Sequence, residues 1–269
     1  MGELLLVAAL AIGLLMLATW LVSVIVNDAS IVDIVWGLGF VLATGVAYLS
    51  SPIDTITDRS LLMLIMVGIW GLRLSGYLAW RNIGKGEDRR YQQMRKKSPD
   101  SFWLVSLYKV FGIQAILMWI VAVPAVVVHA IDEPLYWLDF VGLSIWVVGF
   151  IFETVGDIQL ARFKSQPDSR GKVMDRGLWR YTRHPNYFGD FCVWWGVFVV
   201  AAAAGAWWTV FSPILMSALL MRYSGVGLLE KTIGRRRPGY EEYAKKTNAF
   251  FPGPPRDTSP IANSKDSTT

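Results

Sequence analysis

Cysteine and histidine are nearly absent from this 269-residue chain: Cys192 stands alone, and the two histidines are His129 and His184. One cysteine excludes a disulfide scaffold and a multi-cysteine zinc site. Two histidines exclude a histidine-rich metal centre, so no metal is expected. Charge is scarce as well. Only 17% of residues are Asp, Glu, Lys or Arg, against 54% hydrophobic. Soluble domains carry about 25% charged residues. No nucleotide fingerprint of the soluble kind is present: Gly84-Lys85-Gly86 lacks a third glycine and opens no strand–helix unit. There is no Walker loop, no nucleophile elbow around His184, and no nucleic-acid partner is expected.

What is abundant is long apolar sequence, with a mean hydropathy of +0.40. A spanning helix needs roughly 20 apolar residues. Seven runs qualify, at about 4–26, 31–50, 60–80, 102–128, 136–158, 188–205 and 207–229. The first has no basic leader and no small-residue cleavage site, so it reads as a retained helix and not a signal peptide. The sixth and seventh must meet in a tight turn at Gly205-Ala206. Thirteen Trp and ten Tyr suit a chain with two membrane–water interfaces. The expectation is an all-α polytopic membrane bundle of about seven transmembrane helices, one domain over 1–254 with a disordered Pro-, Ser- and Thr-rich tail over 255–269.

Charge sets the orientation. Lys and Arg gather between Arg81 and Asp100, between Arg162 and Arg183, and after the last run, from Lys231 to Lys246. These segments follow runs three, five and seven, whereas the loops 51–58 and 129–134 contain no Lys or Arg. The positive-inside rule then puts the amino terminus outside and the carboxyl terminus in the cytoplasm. The basic loops also suit anionic lipid headgroups, so membrane lipids are expected partners.

Ionisable residues inside spans are costly and are functional candidates. Asp33 lies about one turn inside the second run. Arg73, Tyr77 and Arg81 recur every four residues and share one face of the third. Gln114 lies in the fourth, Glu153 and Asp157 are a turn apart in the fifth, Asn186 and Asp190 open the sixth, and Arg222 and Glu230 close the seventh. Most fall toward the cytoplasmic half, and a polar cavity open to that side is the economical reading. His129, by contrast, reads as a solvated loop residue. Cys192 and the Trp194-Trp195 and Trp207-Trp208 pairs read as packing and interface residues.

The densest motif is the stretch from Asp175 to Asp190, DRGLWRYTRHPNYFGD. Arg183 and His184 suit phosphate or carboxylate, Asn186 offers an amide, and the helix start that follows attracts anions. This stretch resembles the steroid 5-alpha-reductase superfamily and, within it, the bacterial DUF1295 membrane proteins. Asp33 with Trp36-Gly37, Trp70 to Leu74, Gly86 to Tyr91, Glu153 to Gln159, Ser224 to Glu230, Tyr240, Tyr243 and the 247–252 ending are similar to that family too.

The resemblance implies an integral membrane enzyme, in a bacterial inner membrane, with NADPH entering from the cytoplasmic side. It would reduce a carbon–carbon double bond conjugated to a carbonyl in a lipid-soluble or steroid-like substrate. By position, Asp157, Lys164, Leu178, Arg183, His184, Asn186, Tyr187 and Asp190, with Arg222, Glu230 and Tyr243, would bind the cofactor. Asp33, Arg73 and Tyr77 would form the catalytic group, with Asp33 as proton donor to the enolate. The steroid enzymes carry Gln before that acid, where this chain has Val32, and Tyr77 falls one turn beyond their third-span Tyr. Polyprenyl, fatty-acyl and sterol-like enones all remain open as substrates. The Arg183-His184-Pro185-x-Tyr187-x-Gly189 pattern is also similar to isoprenylcysteine carboxyl methyltransferases, which would make the cofactor S-adenosylmethionine. A non-catalytic lipid- or cofactor-binding protein is the third reading.

Overall fold

A computed structural model describes residues 1–53, 57–223 and 238–256. Among them there is no strand, only an isolated parallel bridge between Thr182 and Asn248. Six helical stretches are long and apolar enough to cross a bilayer: α1 (Gly2–Val26), α2 (Ile31–Leu49), α3 (Asp58–Asn82), α5 (Phe102–Ala130), α6 (Trp137–Ser165) and α7 (Pro185–Ala203). A short polar helix, α4 (Arg89–Lys97), lies between α3 and α5. The last apolar run enters through a 3-10 turn (Trp207–Val210), forms α8 (Phe211–Ala218) and continues as a π turn (Leu219–Tyr223). The described residues end in α9 (Tyr240–Lys246) and an irregular segment. The tight turn at Gly205 takes φ of +84°, which glycine adopts without a Cβ penalty.

The helices fall into two compact units, one of Met1–Val147 with Val193–Met216, the other of Val148–Cys192 with the chain from Ser217. In the first unit α1 shows why an apolar helix need not be amphipathic in lipid. Leu4, Ala8, Ile12 and Met16, spaced by four, are buried, while Leu6, Leu10 and Leu14 on the other side are exposed. Both faces are apolar because one meets protein and the other meets acyl chains. Close helix approach comes from glycine, as expected where packing and not hydrophobicity drives association. A Cβ on Gly37 of α2 would lie 2.4 Å from the Gly71 carbonyl of α3, and one on Gly142 would lie 2.9 Å from the Gly196 carbonyl. Phe40, Trp70 and Trp194 fill the centre, with ring centroids 4.5–5.6 Å apart. Pro124 interrupts the α5 ladder, and Ser212 Oγ donates to the Val121 carbonyl in the disturbed turn at 2.6 Å.

One polar knot in this unit corrects the reading of His129. The residue is fully buried, its Nδ1 paired with Ser60 Oγ and its ring edge-on to Tyr48. The helix continues through a 3-10 turn to Ala130, so the position lies inside the packed end and not in a solvated loop. Beside Ser60, Arg59 is 1% exposed and makes a two-pronged pair with Asp139, Nη2 to Oδ2 at 2.7 Å and Nε to Oδ1 at 2.8 Å.

Candidate functional site

The second unit gathers most of the residues expected to bind a cofactor. Its frame is the crossing of α6 with the first turns of α7. Pro185 opens α7, where its fixed φ and missing N–H cost nothing. Gly156 of α6 lets that end approach, since a Cβ there would lie 3.2 Å from the Asn186 nitrogen. A turn further on, a Cβ on Gly189 would lie 2.3 Å from the Glu153 nitrogen and 2.5 Å from the Gly149 carbonyl. The two helices are in backbone contact, and that contact brings Asp157 to Asn186. Asn186 Nδ2 donates to Asp157 Oδ1 at 3.2 Å, and Asp157 is 4% exposed. A carboxyl so deeply buried needs such donors to offset its lost hydration.

The loop before α7 is pinned from three sides. Gly177, at φ +60°, packs on the Gln159 amide, and Leu178 N–H donates to Gln159 Oε1 at 3.0 Å. Trp179 Nε1 donates to the Gly156 carbonyl at 3.1 Å, and Tyr243 Oη donates to the Trp179 carbonyl. Thr182 Oγ1 donates to the Phe250 carbonyl at 2.7 Å, and Arg183 N–H donates to the Asn248 carbonyl at 2.9 Å. Buried His184 stacks on Tyr187 with centroids 5.6 Å apart and planes 10° apart. Thus Asp157, Leu178, Arg183, His184, Asn186, Tyr187 and Tyr243 share one small region. Asp190 lies half-buried one turn past Asn186, and Lys164 is exposed two turns past Asp157. Arg222 is exposed in the terminal π turn. Glu230 lies outside the described residues, as do the rest of the Ser224–Glu230 segment and the tail from residue 257.

A large cleft adjoins this region. It encloses about 1320 Å³ and is lined by the end of α6, the loop 166–177, Arg180 and α9. Of the described residues expected to bind cofactor, only Tyr243 lines it. Glu153, Asp157, Asn186, Asp190 and Arg222, expected to surround a polar cavity, are absent from its lining.

In the first unit, Asp33 stands at the start of α2 and is gripped from α4. Arg90 Nη2 donates to Asp33 Oδ2 and Tyr91 Oη donates to Asp33 Oδ1, both at 2.7 Å. Gln114 Nε2 reaches the Tyr91 oxygen at 3.4 Å. Burial, and then the neighbouring Asp33 charge, push the Tyr91 phenol well above its usual range, so it keeps its proton. Burial alone would weaken the Arg90 charge, but Asp33, Tyr91 and Asp88 outweigh it and hold the guanidinium protonated. Arg73 and Arg81 both stack on Tyr77, each 5.6 Å from the ring centroid. The shared face of α3 is thus a cation–π stack.

With the geometry in hand, the comparisons with known proteins are decisive for kinship. Residues 19–247 match the model of a family described as a protein of unknown function, DUF1295. The chain belongs to the DUF1295 family. This DUF1295 member is 25% identical to an uncharacterized protein of Schizosaccharomyces pombe, over 87% of this chain and 75% of that protein. Over a stretch of 66 residues it is 38% identical to the steroid 5-alpha-reductase DET2 of Gossypium hirsutum, a match covering 24% of this chain and 26% of that enzyme. No solved structure matches it significantly. The DUF1295 chain is thus a multi-pass, all-helical membrane protein with partial likeness to a reductase.

Two groups escaped the sequence reading. Tyr91 and Arg90 sit in a stretch read as a basic loop and, over Gly86 to Tyr91, as part of the family resemblance, with no role given to either residue; the signal for them was the i, i+1 pair Arg90-Tyr91 after the N-cap Asp88. Arg59 and Asp139 lie in the first turns of α3 and α6, where each reads as an ordinary flanking charge. Nothing in their spacing announces a pair 80 residues apart.

Proposed function

We propose that this protein is a membrane-embedded reductase that uses NADPH to saturate a carbon–carbon double bond conjugated to a carbonyl in a lipid-soluble substrate. The observation that carries the reading is the buried Asp157–Asn186 pair, in a chain with partial likeness to a steroid 5-alpha-reductase. The donor set fits a nicotinamide. Asn186 spends one amide hydrogen on Asp157 and keeps the other, with its carbonyl oxygen, for a primary carboxamide. Asp157 fixes the rotamer of Asn186, and the glycine-mediated crossing of α6 and α7 fixes both.

Bound NADPH supplies the hydride. The chain's own part is to hold the cofactor's carboxamide at Asn186, exclude water with its apolar helices, and furnish a proton. The first unit carries an acid–phenol pair, in which Tyr91 Oη donates to Asp33 Oδ1. Saturating the double bond takes a hydride at the β carbon and a proton that ends on the α carbon, with negative charge carried meanwhile by the substrate oxygen. Arg90 balances the charge of Asp33 throughout. The basic segments support a cytoplasmic face for the cofactor.

The test is a thermal-shift titration of detergent-purified protein with NADPH and, separately, S-adenosylmethionine. A ligand at a hundred times its Kd stabilises the folded state by about 2.7 kcal/mol. NADPH is expected to raise the melting temperature, and Asn186→Ala and Asp157→Ala to abolish the shift while leaving a folded protein. A shift with S-adenosylmethionine alone reassigns the site to methyl transfer, and no shift with either ligand refutes an enzyme reading built on these cofactors.

A further inference from the structure

A smaller concavity lies within the first unit, between the last turn of α1 and the first turn of α5. It encloses about 160 Å³, and its wall carries Ser23 and Asn27 from the end of α1, Arg95 from α4, and Phe102, Trp103 and Ser106 from α5. Two spanning helices meet here at their ends, so the concavity stands at the level of the lipid headgroups. Trp103 is 53% exposed, as suits a membrane–water interface, and Trp20 braces it by donating its indole N–H to the Trp103 carbonyl at 2.9 Å. On the same turns Val24, Ile25 and Val26 of α1 and Leu104 of α5 are exposed, an apolar flank for acyl chains.

The wall offers two kinds of polar group. The Arg95 guanidinium is held by an edge and a face: Nε and Nη2 donate to the Glu87 carboxylate at 3.0 and 2.7 Å, and the plane stacks on Phe102, 4.3 Å from the ring centroid. Nη2 also reaches the Asn27 carbonyl at 3.3 Å, whereas Nη1 donates to no group among the described residues. A guanidinium fixed in this way, with N–H groups to spare, suits a phosphate oxygen. The carboxyl end of α1 is of the opposite character. Its last turn holds no basic residue, so nothing in that turn answers the negative pole of the helix. Buried Ser23 and Ser106 each donate the hydroxyl proton to their own helix, to the Trp20 carbonyl at 2.7 Å and the Trp103 carbonyl at 2.9 Å. Their oxygens keep lone pairs and have no proton left to give, so they act as acceptors.

We propose that this concavity binds the headgroup of a phosphatidylethanolamine-type lipid, with the phosphate on Arg95 and the primary ammonium against Ser23, Ser106 and the end of α1. Charge decides between headgroups. Arg95 and Glu87 are neutral as a pair, and no other ionisable side chain of the described residues lines the wall. A zwitterion leaves that balance intact, whereas phosphatidylglycerol adds a charge without a partner. Choline carries no N–H for the serine oxygens. A volume of about 160 Å³ is below the roughly 300–1,000 Å³ of sites that enclose a whole small molecule, so it admits a headgroup and leaves the acyl chains outside. The inference lies wholly in the first unit and does not rest on the reductase reading.

The experiment is native mass spectrometry of the full chain in detergent, titrated with phosphatidylethanolamine, phosphatidylcholine and phosphatidylglycerol of the same acyl chains. Ser23→Ala/Ser106→Ala removes both acceptors with little change of volume. Arg95→Lys keeps a charge opposite Glu87 and removes the Nη1 donors. The parent is expected to retain one phosphatidylethanolamine more tightly than either competitor. The serine variant should lose that preference, since a lost hydrogen bond to a charged group weakens binding about tenfold or more. Arg95→Lys should weaken the ethanolamine and choline lipids alike, because both carry the phosphate. Equal retention of the three lipids by the parent, or a preference for phosphatidylglycerol, overturns the proposal. An ethanolamine preference unchanged in both variants overturns it as well. Lipid-free melts establish that the variants fold, and if Arg95→Lys does not, the serine variant alone decides.

Discussion

Arg59 and Asp139 allow a stability prediction to be worked from geometry. Both side chains are 1% exposed. Four guanidinium N–H groups are used: Nε and Nη2 meet the two carboxylate oxygens at 2.8 and 2.7 Å, Nη1 meets the Glu133 carbonyl at 2.8 Å, and Nη2 meets the Pro134 carbonyl at 2.7 Å. Asp139 Oδ2 also accepts from Tyr136 N–H at 2.9 Å. Asp139→Asn keeps the shape and one oxygen, but turns an NH2 group toward a buried guanidinium. Removing one partner of a buried pair costs about 3–5 kcal/mol because the survivor is left charged and dry. At about 2–4 °C per kcal/mol for a chain of this size, the melting temperature should fall by about 6–20 °C. Arg59→Met should do the same, stranding Asp139 and two carbonyls. The double variant Arg59→Met/Asp139→Leu leaves no charge behind and should melt near the parent or above it. Tryptophan-fluorescence melts in detergent of the parent, Arg59→Met, Asp139→Leu and the double variant close the cycle. A single-variant loss under about 1 kcal/mol, or losses that simply add in the double variant, would refute the burial argument. Ligand shifts in the second unit should persist in every variant that folds.

Tyr91→Phe removes the phenol whose hydroxyl Asp33 Oδ1 accepts from. Its stability profile checks the same group. The folded phenol titrates above its ordinary value of 10.0, so its contribution is complete below pH 10.0 and is lost as pH rises beyond it. The parent should therefore lose stability on that alkaline limb and the Phe variant should lose less; identical limbs would contradict the assignment. Asp88 caps α4 by accepting from Arg90 N–H at 2.9 Å, so Asp88→Ala should cost about 1 kcal/mol at neutral pH. Burial raises the Asp88 carboxyl but the Arg90 hydrogen bonds lower it further, to a net value below 3.8. That stabilisation is present above pH 3.8 and fades below it, where parent and variant melts should converge. Gly189→Ala forces a Cβ to within 2.3 Å of backbone that no rotamer change can clear. Calorimetry should show a loss of about 1–3 kcal/mol, with weaker NADPH binding, since Asn186 is one turn away; parental values for both would mean that the crossing tolerates separation.

How much of this was legible beforehand follows from what each interaction depends on. Spanning helices are a one-dimensional property, apolar length against bilayer thickness, and the first six runs recur close to the expected bounds, except that the fifth, expected to end near 158, continues as helix to Ser165. Adjacency within a motif is equally local: the loop ending in Asn186 and the four-residue spacing from Arg73 to Arg81 need only helix geometry. Pairings across helices are different. Asp33 read alone is an acid within a span; only α4, folding back to offer Arg90 and Tyr91, shows that both its oxygens are engaged. His129 read alone is the end of an apolar run, and its burial depends on Ser60 and Tyr48 arriving from elsewhere in the chain. Helix–helix contacts were hidden in glycines such as Gly156 and Gly189, whose importance is the absence of an atom.

The two basic segments carry the last step. Arg81–Asp100 and Arg162–Arg183 each hold seven Lys and Arg, and as a topology signal they are equivalent. Their surroundings divide them. In the first, Arg90 is paired with Asp33 and Asp88, and Arg95 with Glu87 at 2.7 Å while also stacking on Phe102. Those cations are spent on holding α4 against the first unit. In the second, Arg162, Arg170, Arg176 and Arg180 make no such pairs and face one cleft. A cation that only orients a helix against the membrane needs no concavity, and one that only holds a fold takes the nearest carboxylate. Arginines that leave Asp168 and Asp175 unpaired on the wall of the same cleft meet neither description. The topology signal is thus shared, and among the described residues the use each segment makes of its charge is set by which carboxylates the fold brings within reach.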